Sequence, residues 1–299
     1  MADRDILVTG GSGQVGTELQ RLVLPGLRFV APTRSELDLS QPESLAAAVA
    51  GRPWAAIINA GAYTAVDAAE TDPVAAWTVN ALAPAALAAA SAAAGIPIVH
   101  VSTDYVFDGV KPGPYVEEDA VAPLGVYGAS KLGGELAVRT GNPRHIILRT
   151  AWVLSAHGKN FLKTMLRLAE TRPELGVVDD QLGCPTAAAD IAATLAALTR
   201  RLLDDEAAPT GTYHFVNAGE ASWCALAREI FDLSAAAGGP SAAVRAIATA
   251  DYPTPARRPA NSRLATAKLG RDFGIVPRPW QEPVRAIVSE SLNPSPAGN

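Results

Sequence analysis

Short apolar runs of β-branched residues alternate with Ala- and Leu-rich stretches through the first half of the chain. Ile6-Leu-Val-Thr9, Leu27-Arg-Phe-Val-Ala31 and Ala55-Ala-Ile-Ile-Asn59 read as strands, as do residues 96–101 and 146–150. The stretches between them carry helix formers, with runs such as Leu45-Ala-Ala-Ala-Val49 and Ala85-Ala-Leu-Ala-Ala-Ala90, and Ala is the best helix former. One helix is expected to open at Ser40 as its N-cap, with Glu43 three residues on. A longer one spans about 73–94 and contains Asn80, read as a structural residue bonding backbone. Strand and helix in alternation predict an α/β fold, a Rossmann-like doubly wound parallel sheet with right-handed crossovers.

After Trp152 the pattern changes. His157-Gly-Lys-Asn160-Phe161 opens a helix over 162–170, and Val177-Val-Asp-Asp-Gln181-Leu-Gly-Cys-Pro-Thr186 reads as a strand and a polar turn. A helix over 187–203 has Asp190 in its first turns, a strand follows over 211–217, and a helix over 222–234 has Ser222 as its cap. Residues 252–263 are irregular and proline-rich, with Arg257, Arg258 and Arg263 as candidate anion ligands; residues 293–299 read as a frayed tail. The expected division is a dinucleotide-binding Rossmann domain over 1–151, to which the chain returns at about 187–215. A smaller α+β substrate-binding domain would hold 152–186 and 216–299.

Composition narrows the function classes. The 299 residues are 48% hydrophobic, and 25 basic against 30 acidic side chains leave a net charge of -5. No Lys/Arg cluster stands out, so no nucleic-acid partner is expected. The two cysteines, Cys184 and Cys224, are read as reduced buried thiols, and the four histidines show no metal-ligand spacing. No apolar run looks long enough to span a bilayer and no secretion signal precedes the first strand, so a soluble cytoplasmic protein is expected.

Chemistry enters at two motifs. Gly10-Gly-Ser-Gly13-Gln14-Val15-Gly16 lies between the first strand and a helix, where a Gly-rich turn lays a pyrophosphate on the helix N-terminus. Gly10 suits the tight turn, Gly13 the close approach of phosphate and Gly16 the contact of helix with strand. The second strand ends in Thr33-Arg34 rather than the acidic residue usual for NAD, which favours NADPH while leaving NADH possible. Further on, Tyr127-Gly-Ala-Ser-Lys131 places a phenol and an ammonium on one helix face. The ammonium is expected to lower the Tyr127 pKa from about 10 and make it a proton donor near neutral pH. Thr103, ending the strand Ile98-Val-His-Val101 in Ser102-Thr-Asp104, can place its hydroxyl on the same substrate oxygen.

With these motifs the chain resembles the extended short-chain dehydrogenase/reductases, and within them the dTDP-4-dehydrorhamnose reductases, over nearly its whole length. Narrower marks are Asn59-Ala-Gly-Ala-Tyr-Thr-Ala-Val-Asp67, Ser102-Thr-Asp-Tyr-Val-Phe-Asp-Gly109, Arg149-Thr-Ala-Trp152 and Asp179-Asp-Gln-Leu-Gly-Cys-Pro-Thr186, with Arg258-Pro-Ala-Asn-Ser-Arg263. The resemblance implies reduction of the C4 ketone of dTDP-4-dehydro-β-L-rhamnose, the last step in making dTDP-L-rhamnose. By analogy Gly13, Gln14 and Val15 hold the pyrophosphate, Asp38 and Leu39 the adenosine, and Gly61, Ala62 and Tyr63 the middle of the cofactor. Thr103, Tyr127 and Lys131 are the implied catalytic residues, Lys131 also binding the nicotinamide ribose. Thr103, Asp104, Tyr105, Trp152, Asn160, Gln181 and Arg258 are the implied substrate residues.

Some members of the family are dimers bridged by magnesium through glutamates. Thr186-Ala-Ala-Ala-Asp190 has alanine where one such Glu is expected, so no metal site is expected and the chain is read as a monomer or a homodimer. Two other readings compete: a nucleotide-sugar epimerase or dehydratase of the same superfamily, and a non-catalytic relative that modulates methionine adenosyltransferase. Intact Thr103, Tyr127 and Lys131 favour catalysis.

Overall fold

The computed structural model describes residues 3–293; the expected frayed tail beyond Asn293 lies outside them. Six parallel strands form the central sheet. The chain enters by β1 (Arg4–Thr9), α1 (Gln14–Arg21) and β2 (Leu27–Val30), then α2 (Pro42–Ala50) and β3 (Ala56–Asn59). Short α3 (Val66–Ala69) and α4 (Pro73–Trp77) precede α5 (Ala83–Ala93) and β4 (Ile98–Thr103). Next come α6 (Val126–Gly141), β5 (His145–Thr150), β6 (Val153–Leu154) and α7 (Phe161–Ala169). The strands β7 (Glu174–Val178), β8 (Leu182–Gly183) and β9 (Thr186–Ala187) lead to α8 (Ala188–Asp204) and β10 (Gly211–His214). The chain then forms β11 (Ala221–Ser222), α9 (Trp223–Ala236), β12 (Ala243–Ile247), α10 (Ala267–Phe273) and α11 (Gln281–Leu292).

The sheet order is β10-β5-β4-β3-β1-β2, so the expected doubly wound parallel sheet is present. Its inner strands β3 and β5 are buried on both faces along their full length, which is why they read as continuous apolar runs rather than alternating ones. From β1 the chain winds to β2 on one side and to β3 on the other. Such a reversal leaves a crevice at the carboxyl ends of the strands, where ligands bind in open α/β sheets. Ile6, Val8, Ile58 and Val99 pack under α1 and α8 on one face; Leu7, Ile57, Ile98 and Ile147 pack under α2 and α5 on the other. A separate core joins α7, α9 and α11 through Leu162, Leu226, Ile230 and Val284, beside the parallel pair β7–β12.

Three expectations are corrected. Ser40 does not cap α2: the helix starts at Pro42 after Gln41, because proline at the first helical position has no N–H to satisfy and a preset φ. The helix expected over 73–94 is continuous but carries a π turn at Thr78–Leu82. Pro84 cannot donate to the Asn80 carbonyl four residues back, and α6 presses on that carbonyl: a Cβ on Gly134 would lie 2.1 Å from it. Finally, Pro73–Ala93 is long and apolar enough, by length and composition, to cross a membrane, contrary to the expectation that no run would be. Here its Ala83, Leu87, Ala88 and Ser91 are buried against the sheet and α6. Ser222 caps α9 as expected, accepting from Ala225 N at 3.0 Å, and both cysteines are free and buried.

Candidate active site

The Gly-rich turn leaves β1 with Gly10 at φ +70°, and α1 begins with Gly13 at its N-cap and no side chain bonding its first amides. Those N–H groups have no intrahelical partner and point into the crevice. Gly10 lies against Gly61 across the crevice: a Cβ on Gly10 would be 2.6 Å from Gly61 Cα. Gly61 in turn lies under Leu39, whose Cδ1 would be 2.5 Å from its Cβ. A Cβ on Gly16 would be 2.2 Å from Gly10 O, so Gly16 lets α1 pack on the turn. Gly13 has a single close neighbour, Gly10 O at 3.2 Å, and opens to the other side. Open amides, an open Gly13 face and a compact glycine floor fit a dinucleotide diphosphate.

Below this floor runs a buried polar chain. Thr9 Oγ1 donates to Asn59 Oδ1 at 2.6 Å and accepts from Gly61 N at 3.1 Å. Asn59 Nδ2 then meets His100 Nδ1 at 2.9 Å, which places the ring proton on Nε2. Burial, reinforced by the Lys131 charge, holds His100 well below its usual pKa, so it is neutral.

Just after β2, where the adenosine is expected, Thr33 and Arg34 are both engaged. Glu36 accepts from Thr33 N at 2.7 Å and from Thr33 Oγ1 at 2.8 Å, while exposed Arg34 lies 3.5 Å from Asp38. Asp38 also accepts from Ser40 N at 2.9 Å. Tyr63 is held through its backbone: its N–H donates to Asn80 Oδ1 at 2.8 Å, and Asn80 Nδ2 donates to Tyr63 O at 3.1 Å and Ser130 Oγ at 3.0 Å. Ala62 lies between, at the mouth of the same crevice, partly buried.

The three residues expected to be catalytic gather at the carboxyl end of β4. Thr103 ends the strand, donates to Asp104 Oδ1 at 3.0 Å and accepts from Tyr105 N at 3.2 Å. Tyr127 stands in the first turn of α6, its ring edge-on to Tyr105 with centroids 5.4 Å apart. A Cβ on Gly128 would be 2.1 Å from Tyr105 O, so glycine after the tyrosine lets α6 press onto this loop. One turn on, buried Lys131 donates to Val101 O at 2.7 Å.

The electrostatics differ from the sequence expectation. Burial pushes the Tyr127 phenol pKa up, with the Thr103 hydroxyl opposing and Asp104 adding to the rise. Burial lowers Lys131 to about 8, opposed by Glu135. The ammonium therefore does not lower the phenol here; it is directed at a strand carbonyl, and desolvation of both groups dominates. Asp104 is raised to about 6 by burial, with Ser262 and Thr103 hydroxyls counteracting.

Beside the trio opens a cavity of about 720 Å³, lined by Asp67, Tyr105, Trp152, Phe161, Gln181 and Arg258 among others. Arg258 donates to Tyr105 OH at 3.2 Å and to Asp67 Oδ2 at 2.7 Å, tying the irregular 252–263 stretch across the cavity mouth. Arg263 instead braces Asn261 and Glu220 at 2.8 Å each. Asn160 is not on the cavity wall; it caps α7, accepting from Lys163 N at 3.1 Å. Trp152, at φ 48°, stacks on Trp223 with centroids 3.4 Å apart and planes 10° apart. Gln181 is spent on this pair, accepting from Trp223 Nε1 at 3.2 Å and donating to Thr249 Oγ1 at 3.0 Å.

The profile of the RmlD substrate binding domain family matches residues 4–293. A Sinorhizobium fredii protein named dTDP-4-dehydrorhamnose reductase is 47% identical over 284 residues, covering 95% of this chain and 96% of its own. The chain belongs to the dTDP-4-dehydrorhamnose reductase family. The Escherichia coli dTDP-4-dehydrorhamnose reductase is 42% identical over 292 residues, covering 96% of this chain and 97% of its own. The crystal structure of the Bacillus anthracis dTDP-4-dehydrorhamnose reductase in complex with NADP matches with TM-score 0.88 and 33% identity, over 97% of this chain and 100% of that one.

In this dTDP-4-dehydrorhamnose reductase family member, sequence reasoning missed Thr9, His100 and Trp223. Thr9 and His100 sit inside apolar strands, where nothing in the local pattern separates a polar relay from a satisfied core residue. For Trp223 one signal existed, an aromatic directly after the helix-capping Ser222.

Proposed function

We propose that the chain reduces the C4 ketone of dTDP-4-dehydro-β-L-rhamnose to dTDP-L-rhamnose with NADPH, NADH serving as a weaker alternative. The observation that carries this reading is the convergence of Thr103, Tyr127 and Lys131 against Tyr105, which lines the 720 Å³ cavity, at the carboxyl end of the same sheet whose β1 leads into the Gly-rich turn. The family membership given above supports it.

When bound, the reduced nicotinamide supplies the hydride. Gln14 and Val15 would offer first-turn amides to the diphosphate, Gly13, whose own N–H is bonded to Gly10 O, would leave room for its approach, and Gly61 to Tyr63 would form the floor beside it. Tyr127 holds its proton because burial disfavours the phenolate, and it donates that proton to the substrate oxygen as negative charge develops there. Thr103 places a second hydroxyl on that oxygen, and the Lys131 ammonium stabilises the charge across the site. Asp104, Tyr105, Trp152 and Arg258 face the sugar and its diphosphate. The division into a dinucleotide-binding unit (1–151 with 187–215) and a substrate unit (152–186 with 216–299) belongs to the same reading, supported by the docking of α8 on α1 and of β10 on β5. So does a cytoplasmic location, where reduced nicotinamide dinucleotides are available.

The test is nicotinamide absorbance with dTDP-4-dehydro-L-rhamnose made in situ, NADPH and NADH in parallel. Oxidation by wild type and loss of at least about 10²-fold in Tyr127→Phe are expected, the lower range for removal of a general acid. Full activity of Tyr127→Phe, or no oxidation by folded protein that binds NADPH, overturns the assignment.

A further inference from the structure

Two side chains that the resemblance assigns to different ligands bond each other. Gln14 opens α1, whose first turn faces the dinucleotide crevice, and Asn160 caps α7, whose inner face lines the cavity. Asn160 Nδ2 donates to Gln14 Oε1 at 2.9 Å and to Ser155 O at 2.6 Å, while its Oδ1 accepts from Lys163 N at 3.1 Å. Both Asn160 amide hydrogens are thereby committed, and its oxygen holds the helix.

The contact continues along one face of α1. Gln14, Glu18 and Arg21 follow the spacing that aligns side chains on a helix. Ser155 Oγ donates to Glu18 Oε1 at 3.3 Å, and Arg21 meets the His157 ring and, at 2.8 Å, Glu290 of α11. Gly158, at φ +68°, sits so that a Cβ would be 3.3 Å from Gln14 Cγ. On the far side Lys163 Nζ donates to Ala156 O at 2.8 Å. Segment 155–160 has no strand partner among the described residues, so these side-chain bonds set its position. It is a strap from α1 to α7, and Phe161, Thr164, Met165 and Leu168 of α7 form one cavity wall.

We propose that the Gln14–Asn160 bond makes Asn160 a positioning residue that links dinucleotide seating on α1 to the α7 wall of the nucleotide-sugar cavity, so that the two ligands bind with positive linkage. The inference rests on the function proposed above. A diphosphate on the first-turn amides orders Gln14; ordered Gln14 fixes Asn160, and Asn160 fixes the first turn of α7 with Phe161. A nucleotide packing on Phe161 then meets a wall already ordered, and by reciprocity it tightens the dinucleotide equally.

The experiment is fluorescence titration of NADPH onto the full chain with and without saturating dTDP, for wild type, Gln14→Met, Asn160→Asp and the double variant. Asn160→Asp keeps the cap, since Asp caps as well as Asn, but removes both amide donors, to Gln14 and to Ser155 O; Gln14→Met removes the acceptor alone and leaves the Asn160 cap in place. Thermal melts report whether each variant folds. The expected result is several-fold tightening of NADPH by dTDP in wild type. Each single change brings that factor down at least about twofold, toward one, within the worth of one neutral hydrogen bond, and the double variant falls no further. A merely structural bond shifts melting temperature or both affinities and leaves the linkage factor at the wild-type value, which overturns the inference. Binding of both ligands to wild type without linkage overturns it as well, with the proposed function intact. Failure of wild type to bind either ligand overturns the function reading and this inference together.

Discussion

Lys131 donates to the carbonyl of Val101 at 2.7 Å, one helical turn beyond Tyr127. The bond anchors α6 to β4 at the point where the strand delivers Thr103. It also keeps an ammonium in a site where burial has lowered its pKa to about 8.

That lowered pKa fixes a pH dependence. Below about 8 the ammonium is charged in both folded and unfolded chains, and its burial penalty is fully present. Between about 8 and 10.5 the folded chain has released its proton while the unfolded chain retains it, so stability rises with pH. Measured against Lys131→Met by chemical denaturation, wild type is expected to gain up to about 3 kcal/mol across this window. A flat difference contradicts it.

Asp104 behaves with the opposite sign, at lower pH. Its folded pKa of about 6 exceeds the unfolded value of 3.8, so the folded chain holds the extra proton between them. This contribution is complete below about 3.8 and is lost as pH rises through about 6. Relative to Asp104→Asn, wild type is expected to lose up to about 3 kcal/mol from pH 4 to pH 7 in denaturation curves.

Gly183 underlies the Trp152–Trp223 stack. A Cβ there would be 2.3 Å from Trp152 Cε2, and Trp152 already holds φ 48°, with the other face of its ring against Trp223. Gly183→Ala is expected to cost about 1–3 kcal/mol as overpacking. Loss of the coupled indole signal in near-ultraviolet circular dichroism would accompany it, and an unchanged spectrum argues against the stack.

The pair Arg149–Glu135 joins β5 to α6 in the interior, with bonds of 2.8 and 2.7 Å and side chains 2% and 0% exposed. Removing one partner leaves the other charge buried and alone. Glu135→Gln is expected to destabilise by about 3–5 kcal/mol, while Arg149→Met with Glu135→Leu together cost much less; urea unfolding of the single and the double variant checks this.

The sheet was legible because a strand buried on both faces needs an apolar run; β1, β3 and β5 each have an unbroken one, and β4 has one interrupted only by His100. The Gly-rich turn and Tyr127 to Lys131 were legible because spacing along one strand–turn–helix or one helix face is local. Ser40 misled because a local cap signal competed with Pro42 two residues on, which sets the helix start more strongly.

By itself the sequence determined the parallel α/β alternation, the phosphate-ready turn after β1 and the face shared by Tyr127 and Lys131, since each depends on neighbours within a few residues. Only the tertiary structure decided what those groups face. It directed Lys131 to Val101 rather than to lowering the phenol, spent Asn160 on Gln14 and stacked Trp223 on Trp152, bringing together residues 30, 146 and 71 positions apart. Desolvation and contacts between distant segments arise when the chain closes on itself, and residue spacing does not encode them.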